Sequence, residues 1–168
     1  TGSLYFNNKM GTEGRELSGD ITLSRNRNDN QFSFIKRDYD SLSVPLTGFP
    51  LDQRDTTNNK SYNLNAQLDY VHPISKISKI ETGYKGTYRQ NDNKFDSDTL
   101  DYSTSNYNIN ESISNRFKLN EYINAAYVMF SSSIKDFSYK FGLRFEQTNT
   151  TGELVTTSET FKQNYFDI

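Results

Sequence analysis

Residues 61–89 read SYNLNAQLDYVHPISKISKIETGYKGTYR, and the order of side chains within them decides the fold. Tyr62, Leu64, Ala66, Leu68 and Tyr70 alternate with Asn63, Asn65, Gln67 and Asp69. Beyond a turn at His72-Pro73-Ile74-Ser75, the series Ile80, Thr82, Tyr84, Gly86 and Tyr88 alternates with Glu81, Gly83, Lys85, Thr87 and Arg89. A period of two puts one set on each face of a β-ribbon. Each arm, at about 10 residues, is long enough to cross a bilayer as a tilted strand. A soluble sheet also alternates, but its apolar face is usually rich in Val, Ile and Leu that pack on a second layer. Here tyrosines stand at both ends of the apolar face, and the other face carries amides and charges of both signs. That is the pattern of an outer-membrane strand between aromatic girdles, its polar face turned to a wet lumen.

The composition agrees. The chain has 168 residues, no Cys, no Trp, 12 Tyr, 12 Phe and a net charge of −2. A mean hydropathy of −0.85 is poor for a two-layer core and would ordinarily point to disorder. Sustained alternation and 14% aromatic residues argue the other way. A membrane barrel reconciles the two, because half of each strand and all the loops meet water. No disulfide framework or thiolate metal site is available without cysteine, and the charge balance leaves no nucleic-acid footprint. Helical spanning is excluded because no long apolar run exists. Thr1-Gly2-Ser3-Leu4-Tyr5-Phe6 lacks the basic and apolar regions of a signal peptide, so the expectation is a removed leader or a start within a longer protein.

Outward from the central hairpin, further strands follow. Leu4, Phe6, Asn8 and Met10 mark a ragged one, and Leu17, Gly19, Ile21 and Leu23 a second, joined at Gly11-Thr12-Glu13-Gly14. Asn26-Arg27-Asn28-Asp29-Asn30 is expected to be a polar tip, with 31–39 a β-extension above the membrane. Downstream, Phe117, Leu119, Ile123, Ala125, Tyr127 and Met129 are assigned to one face, against Lys118, Asn120, Tyr122, Asn124 and Ala126. Phe137, Tyr139, Phe141, Leu143 and Phe145 then alternate with Ser138, Lys140, Gly142, Arg144 and Glu146, the cleanest strand of all. Residues 161–168 begin another. The connections alternate too: short near 11–14, 73–76 and 132–136, long near 28–60 and 91–114, and moderately long near 150–160. Long loops on one side and tight turns on the other are the topology of outer-membrane barrels, with the long loops extracellular. The fold expected is therefore all-β, an antiparallel up-and-down transmembrane β-barrel segment of about seven strands. An odd set cannot close on itself, so residues 1–168 are expected to be part of one larger barrel domain, without plug or signal peptide.

Several blocks also resemble a known family. They are Leu68-Asp69-Tyr70-Val71-His72-Pro73, Ile80-Glu81-Thr82-Gly83-Tyr84-Lys85, Asn124-Ala125-Ala126-Tyr127, Gly142-Leu143-Arg144-Phe145-Glu146-Gln147-Thr148 and Asn164-Tyr165-Phe166. In this order they are similar to the outer-membrane β-barrel domain of Bacteroidetes-type TonB-dependent receptor-like proteins, over roughly residues 15 to 168. The resemblance implies a barrel of about 22 strands with an N-terminal plug domain and a periplasmic energy-coupling protein as partners. It leaves open a true TonB-dependent transporter or a plugless relative, and it fixes no substrate.

The functional expectation is an outer-membrane receptor or transporter wall whose long loops capture ligand. Its partners would be outer-membrane lipid and the remainder of the barrel. Glu81, Lys85, Arg89, Lys140, Arg144 and Glu146 are expected to face the lumen, lining a solute path or forming a charge network that braces the wall. Leu64, Leu68, Ile80, Tyr84, Ile123, Tyr127, Phe141, Leu143 and Phe145 are expected to face lipid. Tyr102 and Tyr107 are candidate stacking contacts for a loop ligand such as a sugar ring. Asp92, Asp96, Asp98 and Asp101 lack the EF-hand spacing, so they read as a solvated loop, and His72, the lone histidine, reads as a turn residue. With no catalytic constellation, metal or cofactor motif, the chain is not expected to be an enzyme. The rival reading is a soluble or surface-displayed β-sheet adhesin or carbohydrate-binding module, burying the row from 137 to 145 under a second sheet. A purely structural barrel within a larger envelope assembly fits the same pattern.

Overall fold

Alternating chains of this length need neighbours for their backbone groups, and the inner strands of the sheet find them on both sides. The computed structural model describes residues 1–11 and 14–168. It contains strands β1 (Gly2–Met10), β2 (Arg15–Lys36), β3 (Leu51–Pro73), β4 (Ser78–Asp101), β5 (Asn106–Ile109), β6 (Asn115–Ile134), β7 (Phe137–Leu154) and β8 (Glu159–Asp167). They form one antiparallel sheet in the order β1-β2-β3-β4-β6-β7-β8, with β5 added to the far end of β4. The seven strands of the main path are the seven expected. Sequential neighbours pair throughout, so the connectivity is up-and-down.

The tight turns lie together at one end. Gly11 and Gly14 both hold positive φ (71° and 76°), which their missing Cβ allows. Thr12 and Glu13 of the expected turn lie outside the described residues. The β3–β4 connection is residues 74–77, so His72 and Pro73 belong to the strand, not to the turn. The β6–β7 turn is only Lys135-Asp136, with Lys135 at φ 54°.

At the other end the strands outrun the expectation. β2, β3 and β4 have 22, 23 and 24 residues, about twice what a bilayer crossing requires. The supposed tip at 26–30 is paired strand, with Asn28 opposite Asn59. The connection expected at 28–60 shrinks to residues 37–50, that at 91–114 to residues 102–114 including β5, and that at 150–160 to residues 155–158. Residues 31–36 are strand, as the expected β-extension requires, whereas the other polar arms carry no apolar alternation and so look like loops in the sequence. Their strand structure comes from pairing, not from burial of one face.

The sheet has one layer and almost no apolar interior. Ala125 is the one buried hydrophobic residue among those described, at 5% exposure, whereas Leu23, Phe141 and Leu143 stand at 54%, 63% and 57%. Phe141 and Leu143 thus have no second protein layer over them, which is the opposite of what a soluble sandwich requires.

Cross-strand contacts are made by seating large rings over glycines. Gly19 faces Phe6, Gly83 faces Tyr127 and Gly152 faces Phe161. A Cβ at Gly19 would lie 2.5 Å from the Phe6 ring, and one at Gly83 would lie 2.5 Å from the Tyr127 ring. Each glycine is the socket for its partner's ring, a way of holding strands in register. Gly83→Val should therefore unseat Tyr127 and cost about 1–3 kcal/mol. Urea titration of the folded protein in micelles, followed by Tyr fluorescence, checks this; an unchanged midpoint would mean that the ring is not seated there.

Candidate functional site

The two faces of the wall follow from the register. Because paired residues point the same way, Leu64, Ala66 and Leu68 share a face with Tyr88, Gly86 and Tyr84, and that face continues through Ala126 and Val128 to Phe145 and Leu143. Toward β1 it continues through Gly19 and Ile21 to Phe6 and Leu4. Ile80 lies on it opposite Phe130, and Phe130 opposite Phe141. Of the nine residues assigned to the apolar face, seven are on it.

Ile123 and Tyr127 are not. Ile123 pairs with Thr87 and Tyr127 with Gly83 and Arg144, which places both on the polar face. The reason lies in the run Ala125-Ala126-Tyr127-Val128-Met129-Phe130, where apolar residues stand on both faces and alternation has no phase. Pairing with β4 and β7 sets the phase that the run itself leaves undetermined. One signal was present: Tyr122 and Phe130 have the same spacing as the ring pair Tyr62 and Tyr70, and both pairs lie on the apolar face.

Those rings form two bands. Tyr62, Tyr88 and Tyr122 cross the apolar face toward the long connections, the last two with ring centroids 4.7 Å apart. Tyr70, Phe130 and Tyr139 cross it toward the tight turns, Phe130 lying 5.3 Å from Phe141 and 6.2 Å from Tyr139. From Tyr62 to Tyr70 the strand runs about 27 Å, or about 20 Å along the normal at a tilt of about 40°. That matches the apolar band of an outer-membrane wall, about 25 Å tall with rings at both borders.

Two polar groups on the apolar face have partners on the wall. Tyr84 donates its hydroxyl to Asn124 Oδ1 at 2.5 Å, and Thr82 donates to the Tyr127 carbonyl at 2.9 Å. On the polar face, Glu81 pairs with Lys79 and with Lys140 (3.4 Å), Arg89 with Glu121 (3.0 Å) and Arg144 with Glu146 (2.6 Å). Asp69 accepts from Gln67 Nε2 and from the Tyr127 hydroxyl, both at 2.7 Å. Glu81, Lys85, Arg89, Lys140, Arg144 and Glu146 thus share one face, as expected, and Asp69, Glu121 and Tyr127 join them. Lys85 stands mid-face between Gln67 and Ala125 and makes no ion pair among the described residues.

The loop candidates are tied into the protein. Tyr102 stacks on Phe49, centroids 4.4 Å apart, and Tyr107 lies under the Arg54 guanidinium at 3.6 Å with its hydroxyl donating to Asp52 at 2.9 Å. One ring face of each is therefore occupied. The acidic stretch is mostly strand: Arg116 binds Asp92 through two nitrogens at 2.6 and 2.8 Å, and Lys94 pairs with Asp96. The Arg116 guanidinium, helped by Lys118 and Lys60, holds the Asp92 carboxyl below its ordinary range. Asp101 caps its own turn, accepting from Ser103 N at 2.9 Å. His72 is hydrogen-bonded to Tyr70 at 3.0 Å.

The model of the outer membrane protein beta-barrel family matches residues 8–168. The chain belongs to that family. No curated protein matches it. Outer-membrane barrels place their long connections outside the cell and their tight turns in the periplasm, which orients this wall. Its apolar face, between the two ring bands, meets the hydrocarbon of the bacterial outer membrane.

The register assigns two apolar residues of β6, Val128 and Ile123, to opposite faces. Val128→Arg, on the lipid side with Leu143→Arg, should cost about 2–4 kcal/mol nearer mid-bilayer, and Phe141→Arg, opposite Phe130 of the ring band, less. Ile123→Arg and Arg144→Phe, on the other face, should cost far less. Folding yields into liposomes across this set check the assignment; equal losses at Val128 and Ile123 would refute it.

Proposed function

We propose that this outer-membrane barrel wall belongs to a receptor or transporter of the TonB-dependent type. Its extracellular connections at residues 37–50 and 102–114 capture a ligand, and its inner face borders the route inward. The observation that carries this reading is the inner face itself. Between the ring bands it presents Asn65, Gln67, Asp69, Lys85, Thr87 and Arg89, side chains suited to a water-filled or polar-filled lumen and not to an apolar core. The ordered sequence blocks that resemble TonB-dependent receptor-like barrels support it independently.

In this reading the ion pairs at Glu81, Arg89 and Arg144 brace the wall, since exposed pairs of this kind contribute little stability and chiefly fix side-chain positions. Lys85, free of an ion pair among the described residues, is left to meet a plug domain or a solute. A plug filling the lumen and a periplasmic energy-coupling protein would complete the machine, with other strands closing the cylinder. The role is binding and passage without catalysis.

Planar-bilayer recordings of the full-length protein test the proposal. A plugged receptor should be silent at rest and conduct when urea loosens the plug. Steady conductance without urea, or silence throughout, would count against it. In the opened state Lys85→Glu should move the reversal potential in a salt gradient toward cation selectivity, because it reverses a charge on the inner face.

A further inference from the structure

Above the upper ring band, β2, β3, β4, β6 and β7 continue as paired strands without an inserted residue, so the alternation of faces persists there. In the first two rungs beyond Tyr62, Tyr88 and Tyr122, the outward positions carry Arg27, Lys60, Lys94, Arg116 and Lys118, outnumbering Asp29, Asp92 and Glu153. The inward positions on the same rungs are uncharged: Asn28, Asn59, Ser61, Asn91 and Asn93 among them. Water wets both faces at this height, so solvation alone gives no reason to segregate charge. A charged surface lying against the outside does.

The geometry there is that of an anion cradle. Asn58, Lys60, Asp92, Lys94 and Arg116 line a depression of about 330 Å³. Lys60 and Lys118 flank Asp92 on the two neighbouring strands, and neither forms an ion pair among the described residues. One carboxylate thus sits among three cations, and Arg116 spends only two of its five N–H donors on it. The excess is positive and faces outward, directly above the aromatic band where lipid headgroups lie.

We propose that Lys60, Lys94, Arg116 and Lys118 bind the phosphate groups of glycolipid in the outer leaflet, docking the wall against it. The aliphatic stems of the lysines would lie along the wall while their ammonium groups reach the headgroup plane. The inference needs the barrel wall and its orientation but not a transport role.

The test uses the full-length protein in nanodiscs containing phosphorylated lipid A in phosphatidylcholine, with lipid retained after detergent washing counted by native mass spectrometry. Lys60→Gln/Lys118→Gln should lower retention about tenfold, whereas Lys76→Gln/Lys135→Gln, equal charge removal at the tight turns, should leave it unchanged. Heat-modified electrophoretic mobility confirms that both variants are folded. Lipid A stripped of phosphate should be retained weakly by every form. Equal retention in the two variants would overturn the proposal. So would an equal loss with phosphate-free lipid, which would point to the acyl chains, or displacement by millimolar inorganic phosphate alone, which would mean a site for the free anion.

Discussion

A backbone amide in hydrocarbon has no partner except another backbone, and the whole wall follows from that constraint. Every strand of the main path pairs residue by residue with its neighbours, and the registers of β2 with β3 and of β3 with β4 each run across some twenty residues without a bulge. An unbroken ladder has a second consequence. Since no residue is inserted, the assignment of faces made in the middle of a strand holds to its ends. Hydrogen bonding therefore fixes which side chains meet lipid, which meet the lumen, and which face outward above the membrane.

Within that frame, polar side chains on the lipid side must find partners, because an unpaired polar group in an apolar medium costs about 2–7 kcal/mol. Asn124, Asn120 and Thr82 comply: each is bonded to a neighbouring tyrosine hydroxyl or backbone carbonyl. The tyrosines thereby act twice, covering apolar surface with their rings and satisfying an amide with their hydroxyls. The inner face is under no such compulsion, since water can stand in for any missing partner. Its ion pairs set where charges point more than how stable the wall is.

The central hairpin and β7 were legible in the sequence because their alternation is strict and each ends in rings. Strand β6 was legible as a strand but not in phase, since apolar residues from Ala125 to Phe130 fill both faces and only the pairing with Gly83 and Thr87 settles which way Tyr127 and Ile123 point. The polar arms were lost for a related reason. Asn and Asp at 26–30 and 51–60 have weak strand preference, and two wet faces impose no pattern, so the information that makes them strands lies in their neighbours. Likewise the stacking of Tyr102 on Phe49 and of Tyr107 on Arg54 joins residues far apart in the chain, which no local motif reveals.

Charge parity, however, does carry a readable boundary. On β4 the ionised residues in the membrane zone are Glu81, Lys85 and Arg89, all inward, and those next beyond it are Asp92, Lys94, Asp96 and Asp98, all outward. Strand β6 changes in the same way between Glu121 and Lys118, and β7 between Glu146 and Glu153. The switch falls at the rungs of Tyr62, Tyr88 and Tyr122. Below it hydrocarbon forbids outward charge; above it the outward side becomes the one that is charged. A strand crossing a bilayer therefore shows its exit as a change of parity in its ionised residues, and the side to which charge moves tells what lies there.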